Sequence, residues 1–201
     1  MAKAREERIK ARKAKTFRRR ALAIAVIVVV VVALVWLYQS SRQPPAASNL
    51  AKVILETSEG NITIELFDDM PITTGNFKDL VSRDIYGGTI FHRVVADFVI
   101  QGGDATSKGI TVATIQDELP NKHSNIRGSV AMAKTSEPNS ATSQFYINLK
   151  DNSANLDSNY SVFGRVTAGM DVVDDIGQKQ VDDNDKPLQD VMIFTAELVE
   201  P

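Results

Sequence analysis

The stretch that decides the fold is FHRVVADFVIQGGD, residues 91–104, in which one arginine lies between short apolar runs and a Gly-Gly-Asp turn follows. Short apolar runs bounded by turn residues are typical of strands. A guanidinium is costly to bury without partners, so Arg93 must either point outward from a half-buried strand or project into a partly apolar site. Arg93 is therefore a candidate functional residue, with an ordinary surface arginine as the alternative.

Strand patterns continue on both sides of this stretch. Residues 52–57 and 61–67 are strand-like and flank a Ser-Glu-Gly turn, which predicts a hairpin with one solvated face. Further strands are predicted at residues 129–133, 143–149, 161–166 and 191–199. In the strand at 143–149, alternation sends Gln144 and Tyr146 to one face and Phe145 to the other.

Two short helices are predicted among these strands. Pro71 provides a helix start, and an apolar stripe at helical spacing follows until a Tyr-Gly-Gly sequence at residues 86–88. A second helix is predicted at 170–176, ended by Gly177. Residues 105–124 are polar and irregular and are predicted as a loop. The count of elements favours a mainly β fold, an antiparallel barrel or sandwich with helices covering its ends.

Charge is distributed unevenly along the 201 residues, whose formal net charge is −2. Ten Lys and Arg residues lie within residues 1–20, whereas residues 51–201 carry an excess of acidic groups, several of them in a predicted loop at 178–189. An acidic domain lacks the basic footprint that binds nucleic acid, so nucleic acid is not an expected partner. The chain has no Cys, which excludes disulfides, thiolate metal sites and a cysteine nucleophile.

Residues 21–38 form an uncharged run dominated by Val, Ile, Leu and Ala and closed by Trp36 and Tyr38. At about 1.5 Å per helical residue the run approaches the ~30 Å hydrocarbon thickness of a bilayer, and aromatic side chains belong at its interface. This predicts a transmembrane helix, with a buried core helix as the alternative. The basic residues before it and the single Arg42 after it place the N-terminus in the cytoplasm and the rest of the chain outside.

The predicted organisation is a basic cytoplasmic arm at 1–20, a transmembrane helix at 21–38, a linker at 39–50 and a folded domain at 51–201. The protein would then be a single-pass protein of the cell membrane. The linker mixes Ser, Pro and Ala without apolar periodicity. A cleaved secretory signal is the main alternative, because a basic segment precedes the apolar run and small residues follow it, and the domain would then be secreted. The sequence gives no prediction of oligomeric state.

The residues argue against several kinds of active site. The two histidines, His92 and His123, have no second histidine at helical spacing, so no metal site is predicted. No Gly-x-Ser-x-Gly turn, Walker loop or dinucleotide fingerprint is present. The remaining candidates are Arg93, Phe98, Gln101, Ala133, Gln144, Phe145 and Tyr146. Such a set is suited to binding a ligand and to changing its conformation.

Four segments of the sequence together resemble the cyclophilin-type peptidyl-prolyl isomerases, particularly the bacterial ones. These are FHRVVADFVIQGGD, RGSVAMAKTSEPNSATSQFYIN, NYSVFGRV and GMDVVDDI. The resemblance covers about residues 52–199 and leaves out the N-terminal segment. It implies a closed eight-stranded antiparallel barrel capped by two helices, and an enzyme that requires no cofactor.

The resemblance also implies roles for individual residues. It places the main catalytic role on Arg93, assisted by Gln101, and implies a peptide groove completed by Ala133 and Gln144. The remaining substrate-binding positions are Phe98, Val99, Tyr146 and Leu156, which would form a proline pocket, and Tyr160, which stands where the family often has histidine.

Several positions depart from the family pattern. Val99 stands where methionine is common, Lys134 replaces an asparagine, and Asn155 stands where cyclosporin-sensitive members have tryptophan, so strong cyclosporin binding is not expected. Tyr146 replaces a usual phenylalanine, and its hydroxyl needs a partner or solvent.

These features predict a membrane-anchored enzyme that accelerates rotation of Xaa-Pro bonds in polypeptides folding outside the cytoplasmic membrane. Two alternatives stay open from the sequence. One is a proline-peptide binding module or holdase chaperone with little turnover, because a fold does not guarantee activity. The other is a structural membrane protein whose barrel serves as a scaffold.

Overall fold

A computed structural model describes residues 49–201, which form one unit whose strands close into a barrel. The predicted basic arm at 1–20, transmembrane helix at 21–38 and all but the end of the linker lie outside the described residues. In the described part, no helix combines the length and apolar character needed to cross a bilayer.

Residues 49–201 contain eight strands, and every pair of neighbours in the closed sheet is antiparallel. The strands are β1 (Lys52–Thr57), β2 (Gly60–Leu66), β3 (Ile90–Val95), β4 (Val99–Gly102), β5 (Ser129–Met132), β6 (Phe145–Asn148), β7 (Val162–Ala168) and β8 (Val191–Val199). Their order around the barrel is β1-β2-β7-β5-β6-β4-β3-β8, and β8 pairs with β1. The barrel expected from the resemblance is confirmed.

The first hairpin forms where the sequence predicts it. The Thr57 hydroxyl donates a hydrogen bond to the Gly60 carbonyl at 2.6 Å and accepts one from the Glu59 N–H at 3.2 Å, which fixes the turn between β1 and β2. Gly60 has a φ of 133°, a backbone conformation that side chains with a Cβ avoid. The buried positions of β1 alternate with exposed or half-buried ones, as expected for a strand with one face on the core.

Three α-helices are present within the described residues: α1 (Pro71–Ser82), α2 (Ser153–Leu156) and α3 (Met170–Gly177). The two longer helices confirm the sequence prediction, although α1 ends before the predicted Tyr-Gly-Gly stop. The single turn of α2 was not predicted. At the start of α1, both carboxylate oxygens of Glu118 accept backbone hydrogen bonds, from Ile72 at 3.1 Å and Thr73 at 2.7 Å. Because the first N–H groups of a helix lack partners within it, this distant carboxylate serves as its cap.

The barrel interior is filled by one side-chain row from each strand and by packed aromatic rings. The pairs Val94–Ile100, Ile100–Ile147 and Ile147–Val130 oppose one another across β3, β4, β6 and β5, and all four residues are buried. The interior rings are those of Phe77, Tyr86, Phe91, Phe145 and Phe163. Phe145 therefore points inward, as alternation predicted.

Gly103 follows β4 at a place where the backbone approaches these rings closely. Its φ is 77°, and an added Cβ would lie 2.7 Å from the Tyr86 ring and 2.8 Å from the Phe145 ring. Glycine is required there both by conformation and by space.

The loop predicted at 105–124 is more ordered than the sequence suggested. It begins with a 3-10 helix, Ala105–Lys108, capped by the Asp104 carboxylate. Further along, Ile115 pairs with Ala141, and Glu118 reaches the start of α1. The last two contacts could not be predicted from the irregular composition because each depends on a partner distant in sequence.

Candidate functional site

A single row of opposed residues brings three of the candidate residues, Arg93, Gln101 and Tyr146, to the outer face of the barrel. Arg93 opposes Gln101, Gln101 opposes Tyr146, Tyr146 opposes Ala131, and Ala131 opposes Val162. Directly opposed residues in antiparallel strands project to the same face. This row lies one residue away from the interior row, so its side chains point away from the core.

A bulge in β3 is needed to place Arg93 in this row. Phe91 is fully buried in the core, and strict alternation would send Arg93, two residues later, to the same face. The pairing register shifts between Phe91 and Arg93, which leaves His92 as the extra residue. A bulge of this kind re-aims the next side chain. Arg93 consequently points outward although it follows an inward-facing aromatic residue.

The outer face carries its own apolar cluster, separate from the core. We call it the outer cluster: buried Val99, Ala131, Tyr146 and Val162, with Phe67, Phe98, Ala133, Leu156 and Tyr160 packed on them and partly exposed. All the apolar positions that the resemblance assigned to substrate binding belong to it. Ala131, Val162 and Phe67 were not predicted as site residues, although Ala131 lies two positions before Ala133 on a predicted strand and could have been found by alternation.

Leu156 and Tyr160 are held at the edge of the outer cluster by α2 and the turn after it. The Leu156 carbonyl accepts a hydrogen bond from the Tyr160 N–H at 3.0 Å. The Tyr160 ring meets the Tyr146 ring edge to face, with centroids 5.8 Å apart. The Lys134 amine lies 5.9 Å from the Tyr160 ring centroid and 3.2 Å from the Asp117 carboxylate, so this departure from the family pattern is charge-paired.

Two glutamines connect the cationic end of the row to the outer cluster. Gln101 donates a hydrogen bond to the Gln144 side-chain oxygen at 2.8 Å, and the Gln144 carbonyl accepts one from the Ala133 N–H at 2.9 Å. Both glutamines are half-buried. Burial lowers the pKa of the neighbouring His92, and this outweighs the opposing effects of the Asp104 carboxylate and the Gln144 side chain.

Arg93 has a charged neighbour that the sequence did not identify. Its Nε lies 3.4 Å from a carboxylate oxygen of Asp185, and the two side chains are 38% and 45% exposed. The structure gives the terminal nitrogens of Arg93 no hydrogen-bond partner among residues 49–201. The guanidinium therefore keeps donors available beside the outer cluster.

The Tyr146 hydroxyl finds its partner in a buried amide network. It donates to the Asn125 side-chain oxygen at 2.7 Å, and Asn125 is held by the Asp157 carboxylate through bonds of 2.7 and 2.9 Å. Asn152 donates to Asn148 at 2.8 Å and to the Phe98 carbonyl at 2.9 Å. Burial, followed by the nearby Tyr160 and Asp157, raises the pKa of Tyr146, so its hydroxyl stays neutral and donates.

The site therefore combines a cation with free donors, a pair of hydrogen-bonded amides and a partly exposed apolar cluster. A neutral, apolar group can bind there with a polar atom turned toward Arg93. Within residues 49–201, no group of three His, Asp or Glu side chains is arranged to hold a metal ion.

The chain is similar to known proteins over the part that forms the barrel. The sequence profile of the family described as "Cyclophilin type peptidyl-prolyl cis-trans isomerase/CLD" matches residues 52–198. A peptidyl-prolyl cis-trans isomerase of Acinetobacter baylyi is 47% identical over 141 residues, which is 65% of this chain and 75% of that protein. One from Streptomyces antibioticus is 44% identical over 165 residues, 75% of this chain and 99% of that protein.

A solved structure extends the likeness to three dimensions. It is a cyclophilin-type peptidyl-prolyl cis-trans isomerase of Cryptosporidium parvum, determined in the presence of the dipeptide Ala-Pro. It superposes with a TM-score of 0.69 at 28% identity and covers 75% of this chain and 99% of that chain. That protein consists almost entirely of the matched domain.

Proposed function

This chain belongs to the cyclophilin-type peptidyl-prolyl cis-trans isomerases, and from that membership we propose that Arg93 is its catalytic cation and that its substrates are proline-containing polypeptides outside the cytoplasmic membrane. The observation that carries the catalytic proposal is the outer row of the barrel, which sets Arg93 beside Gln101 and the outer cluster. The dipeptide in the Cryptosporidium parvum structure supports the substrate class.

The reaction needs stabilisation of a twisted peptide bond. An Xaa-Pro bond is planar through resonance, with a barrier of about 18–20 kcal/mol, and interconverts in tens to hundreds of seconds. Twisting breaks the resonance and returns the lone pair to the proline nitrogen. A cationic hydrogen-bond donor near that nitrogen therefore stabilises the twisted state more than either planar state.

The guanidinium of Arg93 is suited to this task. A guanidinium presents several hydrogen-bond donors in a rigid plane, whereas a lysine ammonium is one mobile point charge. Because the Asp185 carboxylate approaches Nε, the terminal nitrogens can donate hydrogen bonds to the substrate. No bond in the substrate is broken, so no nucleophile is needed.

The outer cluster holds the proline ring while the adjacent bond rotates. Phe98, Val99, Tyr146 and Leu156 offer an apolar surface for the ring, and Gln101 with Gln144 can orient the substrate carbonyl. A tenfold acceleration requires about 1.4 kcal/mol of differential stabilisation, so a 10⁵-fold acceleration requires about 7 kcal/mol. Electrostatic stabilisation together with positioning supplies energies of this size.

An isomerisation assay on an Xaa-Pro peptide tests the role of Arg93. We expect Arg93→Ala to lower kcat/KM about 100-fold, the typical effect of removing one preorganised donor. Arg83→Ala is the matched control, because Arg83 is also an exposed arginine paired with a carboxylate, Asp79, but directly follows α1 and is not part of the row. Equal rates for wild type and Arg93→Ala would reject Arg93 as the catalytic cation. If peptides still bound while both proteins were inactive, the chain would be a binding module.

The proposal of an extracytoplasmic domain rests on the charges around residues 21–38, which are basic before the apolar run and nearly absent after it. Protease added to intact spheroplasts is expected to remove the domain, with a cytoplasmic protein as the protected control. Protection of the domain until the membrane is lysed would reverse the orientation. Release of the domain into the medium with a new N-terminus beyond residue 38 would instead establish a cleaved signal.

A further inference from the structure

A tight acidic turn at residues 182–186 lies next to Arg93, at the cationic end of the row. The Asp182 carboxylate accepts hydrogen bonds from the N–H groups of Asn184 at 2.8 Å and Lys186 at 3.0 Å. The Asp182 N–H donates to the Lys186 carbonyl at 2.8 Å, and the Asp185 N–H donates to the Asp182 carbonyl at 3.1 Å. These bonds fix Asp185 in a left-handed conformation with a φ of 62°, which Asp and Asn tolerate better than most residues.

The acidic turn is attached directly to the strand that carries Arg93. The Val94 N–H donates to the Asp185 carbonyl at 2.8 Å, so the backbone of Asp185 is held one residue along from Arg93. From this anchored position the Asp185 carboxylate reaches the Arg93 Nε at 3.4 Å. The other charged groups of the turn do not make this contact: Lys186 pairs with Asp190 at 3.5 Å, and Asp183 has no ion pair with any residue in the range 49–201.

We propose that Asp185 is a positioning residue for the isomerase reaction, which holds the Arg93 guanidinium with its terminal nitrogens turned toward the substrate. This inference rests on the catalytic role proposed for Arg93. A free arginine side chain samples many rotamers, and it loses this conformational entropy when it forms a hydrogen bond to the transition state. A fixed carboxylate at Nε restricts the side chain before the substrate binds and leaves the two terminal nitrogens unoccupied.

The arginine nitrogen that Asp185 contacts determines whether the carboxylate positions Arg93 or inhibits it. A carboxylate bound across both terminal nitrogens would occupy the donors that the substrate needs, and removing it would raise activity. Asp185 contacts Nε, so its carboxylate leaves the terminal nitrogens to a bound peptide, and the exposure of both groups makes the pair a modest one. Removing the carboxylate should therefore lower kcat and leave KM nearly unchanged.

The test compares Asp185→Asn with Asp183→Asn in the full-length chain, with detergent present for the apolar N-terminal segment. Asn keeps the size of Asp and tolerates the left-handed backbone, so the turn is retained. Both variants remove one negative charge from the same turn. We expect Asp185→Asn to lower kcat about threefold with KM unchanged, consistent with the modest strength of exposed ion pairs, and Asp183→Asn to match wild type.

A spectroscopic readout distinguishes positioning from a general loss of structure. The Arg93 Nε–Hε NMR signal, assigned by its loss in Arg93→Ala, should shift in Asp185→Asn and stay in place in Asp183→Asn. Equal kcat for the two Asn variants, a change confined to KM, or an increase in kcat would overturn the inference. Any of these results together with an inactive Arg93→Ala leaves the proposed catalytic role intact, whereas an Arg93→Ala variant as active as wild type refutes that role itself.

Discussion

Replacing Tyr146 by Phe should lower the free energy of unfolding by about 1 kcal/mol. The change deletes a hydroxyl that donates at 2.7 Å to Asn125, and both residues are buried, with exposures of 4% and 0%. An unsatisfied buried acceptor would add a penalty of about 1–3 kcal/mol. That penalty is avoided because Asn148 still donates to the same Asn125 oxygen at 3.2 Å. The ordinary value of about 0.5–1.5 kcal/mol for one lost hydrogen bond therefore applies, a Tm shift of roughly 2–4 °C.

Urea unfolding of residues 49–201 followed by far-UV circular dichroism measures this change, since the single tryptophan, Trp36, lies outside that fragment. Tyr160→Phe is the matched control, because the structure provides its hydroxyl with no hydrogen-bond partner among residues 49–201. It should change the unfolding free energy by less than about 0.5 kcal/mol. Equal effects of the two substitutions would refute the assignment of the stabilisation to the Asn125 bond. Isomerase activity of Tyr146→Phe should stay close to wild type, because phenylalanine is the usual residue of the family at this position.

Three further changes probe the scaffold around the site. Glu118→Ala removes the carboxylate cap of α1 and should lower the unfolding free energy by about 1 kcal/mol, measured by the same denaturation. Gly103→Ala should cost more than about 3 kcal/mol, since it combines left-handed strain with overlap of two core rings, whereas Gly109→Ala, with a φ of 71° and open space, should cost about 1 kcal/mol. Burial lowers the pKa of His92, so on acidification the unfolded chain binds the proton before the folded chain does, and the free energy of unfolding should fall as pH drops below about 6.5. His92→Gln should therefore reduce the slope of unfolding free energy against pH between pH 7.5 and 5.5.

Local periodicity predicted the parts of the fold that depend on near neighbours. The hairpin of β1 and β2 and the opposite orientations of Phe145 and Tyr146 follow from alternation, and both were found. The starts of α1 and α3 follow from Pro71 and from helical spacing. Leu156 and Tyr160 entered through the family resemblance alone, because α2 is a single turn without a periodic pattern.

The missed features depend on contacts between distant parts of the chain. The bulge at His92 reverses the alternation between Phe91 and Arg93, and nothing in the local composition marks it. Asp185 reaches Arg93 only because the acidic turn docks on β3, and Asn125 reaches Tyr146 only when the long loop folds back. The sequence therefore predicted which residues form the site better than it predicted what holds them in place.

The outward direction of the row from Arg93 to Val162 has a consequence for the length of substrate that can be accommodated. A site inside a barrel would admit only a free end or a small molecule, because a long polymer would have to be threaded. An external wall can receive the middle of a chain, with both arms leaving into water and any structure already formed on them undisturbed. Prolines far from either terminus of a client are thus as accessible to this surface as those near an end.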